Sequence, residues 1–251
     1  MTAGFNGKVA LVTGANTGIG WAAAKRLQAD GFALGFHTRE EDDEDRQRFE
    51  EIAADGRAHW VIGDLADPAL PEQLVTATVE VLGRLDVAVN NAGVTLSKPA
   101  LELTVQDFDR IFDVDVRGAF LLAVAAAKRM REAGGGSIVN VTSVHEHVPR
   151  AGFALYAAAK AALGMVTRSL ALELGPDGIR VNAVAPGAIA TERNVEAGSL
   201  APEVPLKRAG TPEEVAAAIA FLAGEASSYV TGASFVVDGG MMQRVAVKPA
   251  Q

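Results

Sequence analysis

The chain has no cysteine among its 251 residues, which excludes disulfides, thiolate nucleophiles and cysteine-based metal sites together. Aromatic residues are few, at 6%, with two tyrosines in all, so a tyrosine in a reactive setting stands out. Positive charge is scarce: 23 lysines and arginines stand against 31 aspartates and glutamates, a net charge of −8. That sign does not suit a phosphate backbone and argues against nucleic acid as the main partner. Long apolar runs are missing. The nearest, 119–127, stops at Lys128, well short of the roughly 18–20 residues that span a bilayer, so no membrane segment is expected. Residues 1–7 lack a basic region followed by an apolar core, and no secretory signal is expected. The four histidines are scattered, and no His/Asp/Glu group has metal-ligand spacing, so no metal is expected. The expectation is a cytoplasmic protein whose partners are small molecules.

Against these absences, 49% of the residues are hydrophobic, and they are organised. Short apolar runs at 9–12, 33–36, 59–62, 87–89, 137–141, 180–184 and 234–237 mostly lack strict alternation, as parallel strands covered on both faces do. Between them, 19–30, 107–132, 154–174 and 212–223 carry helical spacing or propensity, and Thr211 before Pro212 reads as an N-cap followed by a first-turn proline. The acidic run 40–45 reads as a solvated first helical turn. Alternation of this kind predicts an α/β fold, a doubly wound parallel sheet in a single domain over 1–251.

Directly after the first strand stands Thr13-Gly14-Ala15-Asn16-Thr17-Gly18-Ile19-Gly20, and a helix follows. A glycine cluster so placed lets backbone N–H groups approach a pyrophosphate at a helix N-terminus. The spacing is TGxxxGxG rather than GxGxxG. In that form the turn resembles the cofactor turn of the short-chain dehydrogenase/reductase family. Further matches fall in the family's order: Asp64-Leu65, Asn90-Asn91-Ala92-Gly93, Ser143, Tyr156 with Lys160 four residues on, and Pro186-Gly187. The resemblance implies a Rossmann fold, a nicotinamide cofactor and a homotetramer. It implies that Gly14, Asn16, Thr17, Gly18, Ile19 and Gly20 bind the cofactor. Asp64 and Leu65 would meet its adenine, Asn91, Ala92 and Gly93 would line its cleft with Pro186 and Gly187, and Ile189 and Thr191 would hold the carboxamide.

The chemistry of the remaining residues can be argued without the family. A phenol with a pKa of about 10 is a poor base at neutral pH unless its anion is stabilised. On one helix, Tyr156 and Lys160 lie a turn apart on one face, and a neighbouring cation commonly lowers an acid's pKa by roughly 1–3 units. Ser143 would hold and polarise the substrate oxygen. The expected activity is hydride transfer between nicotinamide and a carbonyl or alcohol, with Tyr156 as acid/base and Lys160 beside its phenol; the resemblance implies that Tyr156 and Lys160 also contact the cofactor. Where the family often has asparagine this chain has Asp115. Its backbone carbonyl could keep the family's proton path to Lys160, while its carboxylate could shift the titration of its neighbours.

Thr38 stands near the place where NAD-binding members put an acid, and Arg39 follows it. An arginine there suits a 2′-phosphate, which predicts NADP over NAD, although Arg39 could also pair with the acidic run. The segment from Ser143 to Glu146 and the Asp238-Gly239-Gly240 ending resemble bacterial glucose 1-dehydrogenases, and the other motifs fit 3-oxoacyl-carrier-protein reductases equally. His145 and Glu146 could meet a polyol, and a substrate lid is expected over about 190–208. Two other readings are weaker. A non-catalytic dinucleotide sensor has no use for Ser143, Tyr156 and Lys160 together, and an epimerase typically carries a longer C-terminal substrate region.

Overall fold

The computed structural model describes residues 7–192, 194 and 197–243. Seven strands, β1 (Val9–Thr13), β2 (Ala33–Thr38), β3 (Ala58–Ile62), β4 (Val87–Asn90), β5 (Gly136–Val141), β6 (Ile179–Pro186) and β7 (Ser234–Val237), form one sheet in the order β3-β2-β1-β4-β5-β6-β7. Every pairing is parallel. The strands of the sheet interior are buried along their length, which is why their sequences run apolar without alternation. Two helical layers cover it. On one face α1 (Gly18–Ala29), α2 (Asp43–Ala53) and α7 (Pro212–Ala223) pack against one apolar cluster. On the other, α3 (Leu70–Leu82), α5 (Ala119–Glu132) and α6 (Ala154–Leu174) enclose a second. The seven expected strands and the doubly wound fold are present, and no described helix is long and apolar enough to cross a membrane.

Three differences from the sequence reading have physical causes. The helix expected over 107–132 is broken into α4 (Val105–Phe112), a π-helical turn at Asp113–Gly118, and α5. Gly118 closes that turn where a Cβ would come within 2.7 Å of the Leu65 carbonyl oxygen. The acidic run opens α2 as expected, with the Asp42 carboxylate accepting from the Asp45 amide at 2.7 Å, but Asp45 is buried rather than solvated. It accepts a hydrogen bond from Asn16 Nδ2 at 2.8 Å. The third is α3, which periodicity did not single out; Pro71 sits in its first turn, and Gly83 ends it at φ 89°.

Because β1 lies between β2 and β4, the chain leaves β1 in one direction and returns to β4 in the other. The C-terminal ends of β1 and β4 therefore diverge, and an open crevice forms there.

Candidate active site

The glycine turn leaves β1 at Thr13, whose hydroxyl donates to the Val89 carbonyl at 3.2 Å and accepts from the amides of Asn91 (3.0 Å) and Ala92 (3.1 Å). Asn91 Nδ2 in turn donates to the carbonyls of Thr13 and Gly14 at 2.9 and 3.0 Å. These bonds fix the 91–93 segment against the turn. Gly14 and Gly18 have φ of 59° and 51°, a region in which side chains are strained. Gly20 serves a different need: a Cβ there would lie 2.0 Å from the Gly14 carbonyl oxygen and 2.4 Å from Asn91 Nδ2. The first turn of α1 contains no acid, and Thr17 at its N-cap makes no side-chain capping hydrogen bond. An uncapped helix N-terminus behind a glycine turn fits a pyrophosphate.

One turn contact was not legible in the sequence. His37, buried at the end of β2, accepts from the Gly14 amide through Nδ1 at 3.3 Å, while Nε2 lies 3.0 Å from the Gly63 carbonyl. Those partners assign the proton to Nε2. Burial pulls the imidazole pKa down to about 4, against the opposing effects of the Gly63 carbonyl and Asp64. His37 is thus a neutral acceptor that orients the turn. The parallel register of β1 with β2 places Thr13 beside His37, a relation that no local spacing reveals.

On the opposite wall, Tyr156 and Lys160 lie a turn apart on α6, with Nζ 5.6 Å from the phenol ring centroid. Lys160 is buried, and Nζ donates to the Val141 carbonyl at 3.2 Å. Its ion-pair partner is Asp115 on the π-helical turn, with Oδ2 at 3.0 Å and both side chains out of solvent. Oδ1 accepts from the Val94 amide at 2.7 Å. Gly93 makes room for the pair, because a Cβ there would lie 3.1 Å from Oδ2 and 3.2 Å from Nζ. Burial alone would lower the lysine pKa, but the attraction of Asp115 and then of Tyr156 outweighs it and holds Lys160 above the ordinary lysine range. Its ammonium is charged at neutral pH. Ser143 stands at the end of β5, where its hydroxyl accepts from the His145 amide at 3.2 Å. The rings of His145 and Phe153 each approach Tyr156 with centroids 6.1 Å apart.

All of this borders one cleft of about 710 Å³, within the range of small-molecule sites. Its wall includes Gly14, Thr17, Gly18 and Ile19 from the turn, Asn91, Ala92 and Gly93 after β4, and Ser143, Tyr156 and Lys160. Pro186, Gly187, Ile189 and Thr191 after β6 complete it, with Arg39 at the end of β2. The remaining residues singled out from sequence are not among those that line the cleft. Asn16 holds Asp45, Gly20 allows α1 to approach, Asp115 anchors Lys160, and Leu65 is buried. Asp64 is engaged by Arg110 at 2.7 Å. Arg39 pairs with Glu40 at 2.9 Å, both side chains well over half exposed.

Of the pair His145 and Glu146, His145 lines the cleft and Glu146 does not. Its carboxylate is buried, with Oε2 accepting from Ser234 at 3.1 Å. It lies against Gly164, whose Cβ would sit 2.3 Å from Oε1. A polyol in the cleft is out of its reach. The segment expected as a lid includes 193, 195 and 196, which lie outside the described residues. In its described part, Ala197–Glu203 forms a 3-10 helix, and Leu200 reaches the cleft.

Comparison with known proteins agrees over nearly the whole chain. The family model for Enoyl-(Acyl carrier protein) reductase matches residues 14–242. An acetoin dehydrogenase from Enterobacter cloacae is 44% identical, with 99% of each chain covered and a TM-score of 0.89. The 3-oxoacyl-[acyl-carrier-protein] reductase of Synechocystis is 41% identical over 246 residues, covering 96% of this chain and 99% of that protein. A blue fluorescent protein from a metagenomic library, in complex with NADPH, is 42% identical with a TM-score of 0.89, covering 94% of this chain and 98% of that one.

Proposed function

The chain belongs to the short-chain dehydrogenase/reductase family of oxidoreductases, and from that premise we propose that Tyr156 is its proton donor and acceptor in the interconversion of a ketone or aldehyde with an alcohol. The nicotinamide cofactor supplies the hydride in one direction and takes it in the other. In reduction, Tyr156 gives its phenolic proton to the substrate oxygen as the carbonyl becomes an alcohol; in oxidation the phenolate takes that proton back. Lys160 stabilises the phenolate by its charge, and Ser143 holds the substrate oxygen by hydrogen bonding. The observation that carries the reading is the buried ammonium of Lys160, one helical turn from Tyr156 and anchored by Asp115 in the cleft that also contains the glycine turn. A sensor that only bound a dinucleotide would have no use for this buried ion pair, which costs desolvation energy to form. Asp115 acts here through its carboxylate, which holds the ammonium directly.

Preference for NADP is part of the proposal. Thr38 is committed internally, accepting from Trp60 Nε1 at 2.9 Å and donating to the Glu40 carbonyl at 2.6 Å, while Arg39 stands on the cleft wall. Its exposed pair with Glu40 contributes at most about 1 kcal/mol, little enough for a 2′-phosphate to replace. The testing experiment measures oxidation of NADPH and of NADH against ketones, hydroxyketones and 3-oxoacyl thioesters, with alcohols and sugars run in the oxidative direction. Turnover with a higher kcat/KM for NADPH is expected. An NADH preference would refute the cofactor assignment, and binding without any turnover would favour the sensor.

A further inference from the structure

Among the described residues, four of formal charge line the cleft, and three have partners: Arg39 has Glu40, Lys160 has Asp115, and Glu192 has Arg48 at 3.0 Å. The fourth is Arg150. Among the described residues no carboxylate lies within ion-pair distance of it, although the chain carries 31 acids. Its guanidinium carbon lies 4.8 Å from the centroid of the Phe153 ring, and Phe153 in turn flanks Tyr156. One aromatic ring therefore separates an unpaired cation from the proposed proton donor. Stacking on a ring face steadies a guanidinium while leaving its N–H edge available. Among the described residues, the one acid on the cleft wall is Glu192, which is paired with Arg48.

We propose that Arg150 is a specificity residue that makes this site select carbonyl substrates bearing an anionic group, a carboxylate or a phosphate, a few atoms from the reacting carbon. The proposal deepens the reading of Tyr156 as proton donor and rests on it. The bond that changes is still carbon to oxygen; Arg150 takes no part in the proton or hydride transfer. A protein with a net charge of −8 repels small anions at long range, and a cation on the cleft wall with no carboxylate partner among the described residues offsets that repulsion locally. Charge-assisted hydrogen bonds from a guanidinium to such a group supply the attraction.

The test compares matched pairs: 3-oxobutanoate with its methyl ester, and dihydroxyacetone phosphate with dihydroxyacetone. Each is reduced by the wild type, Arg150→Gln and Arg150→Lys. The wild type should favour one of the anions over its neutral partner by about tenfold in kcat/KM, and the favoured pair identifies the anion. Arg150→Gln should abolish that ratio through a raised KM, with Arg150→Lys retaining part of it. Higher salt should raise KM for the anion. A wild-type ratio near one, or a ratio that Arg150→Gln leaves unchanged, overturns the proposal.

Calorimetric titration of 3-hydroxybutanoate and of glycerol 3-phosphate into the protein saturated with NADP gives a readout that needs no turnover. Equal binding by wild type and Arg150→Gln, or no binding of either anion, also overturns it. Turnover that survives in Tyr156→Phe would instead sink the acid/base reading while leaving the titration result standing.

Discussion

At the glycine turn the amide of Gly14 is held by an imidazole, and that choice ties the turn to pH. His37 is neutral in the folded chain with a pKa of about 4, against about 6.5 when unfolded. Between those values the unfolded chain binds more protons than the folded one, so stability falls as pH drops through that window and is fully present above it. The contribution is on the order of 3 kcal/mol. Unfolding measured at pH 7.5 and at pH 4.5 should show wild type losing more stability on acidification than His37→Gln, and parallel losses would contradict the assignment. Ser143, Tyr156 and Lys160 were legible because their residue types and spacing carry the chemistry. His37 was not, because its partner is brought alongside only by strand pairing. The direction of Glu146 was hidden for the same reason, since Gly164 and Ser234 lie far along the chain.

Among the elements, β1, the glycine turn and α1 form the unit on which the cleft depends. Gly20 is where α1 meets the turn backbone, with no space for one carbon. Gly20→Ala should cost about 2 kcal/mol or more by overpacking, lowering Tm by at least roughly 4 °C and raising the Kd for NADP. Unchanged melting and binding would show that the turn has slack. The strands were readable because burial on both faces leaves apolar runs, and α6 and α7 were found with the bounds they have. The break between α4 and α5 was not readable. A π-helical turn inserts one residue into a helix whose composition continues unchanged on either side, and Asp115, the partner of Lys160, lies within it.

At the scale of the whole molecule, apolar side chains are exposed in two places. A groove of about 680 Å³ between α5 and α6 is lined by Phe120, Val124, Met165 and Val166, and Leu172 on α6 is 82% exposed. On the sheet edge, Val236 and the fully exposed Tyr229 present a second apolar surface. Exposed apolar faces of this extent mark association sites, and two of them on one chain suit a dimer of dimers. We propose a homotetramer, so light scattering should give a mass near four times the 26.0 kDa chain; a monomer alone would contradict it. Fold and candidate site were legible at this scale because seven strands alternating with helices in order leave few topologies open. A homotetramer was expected from resemblance alone, because contacts between copies leave no periodic trace.

The central claim is that Tyr156 moves the proton, and the most direct test is turnover by Tyr156→Phe beside the wild type, with NADPH binding measured on both. Loss of roughly 10²-fold or more in kcat with binding of NADPH retained is the predicted result. Turnover that persists at the wild-type rate would contradict the claim and require another group as the acid.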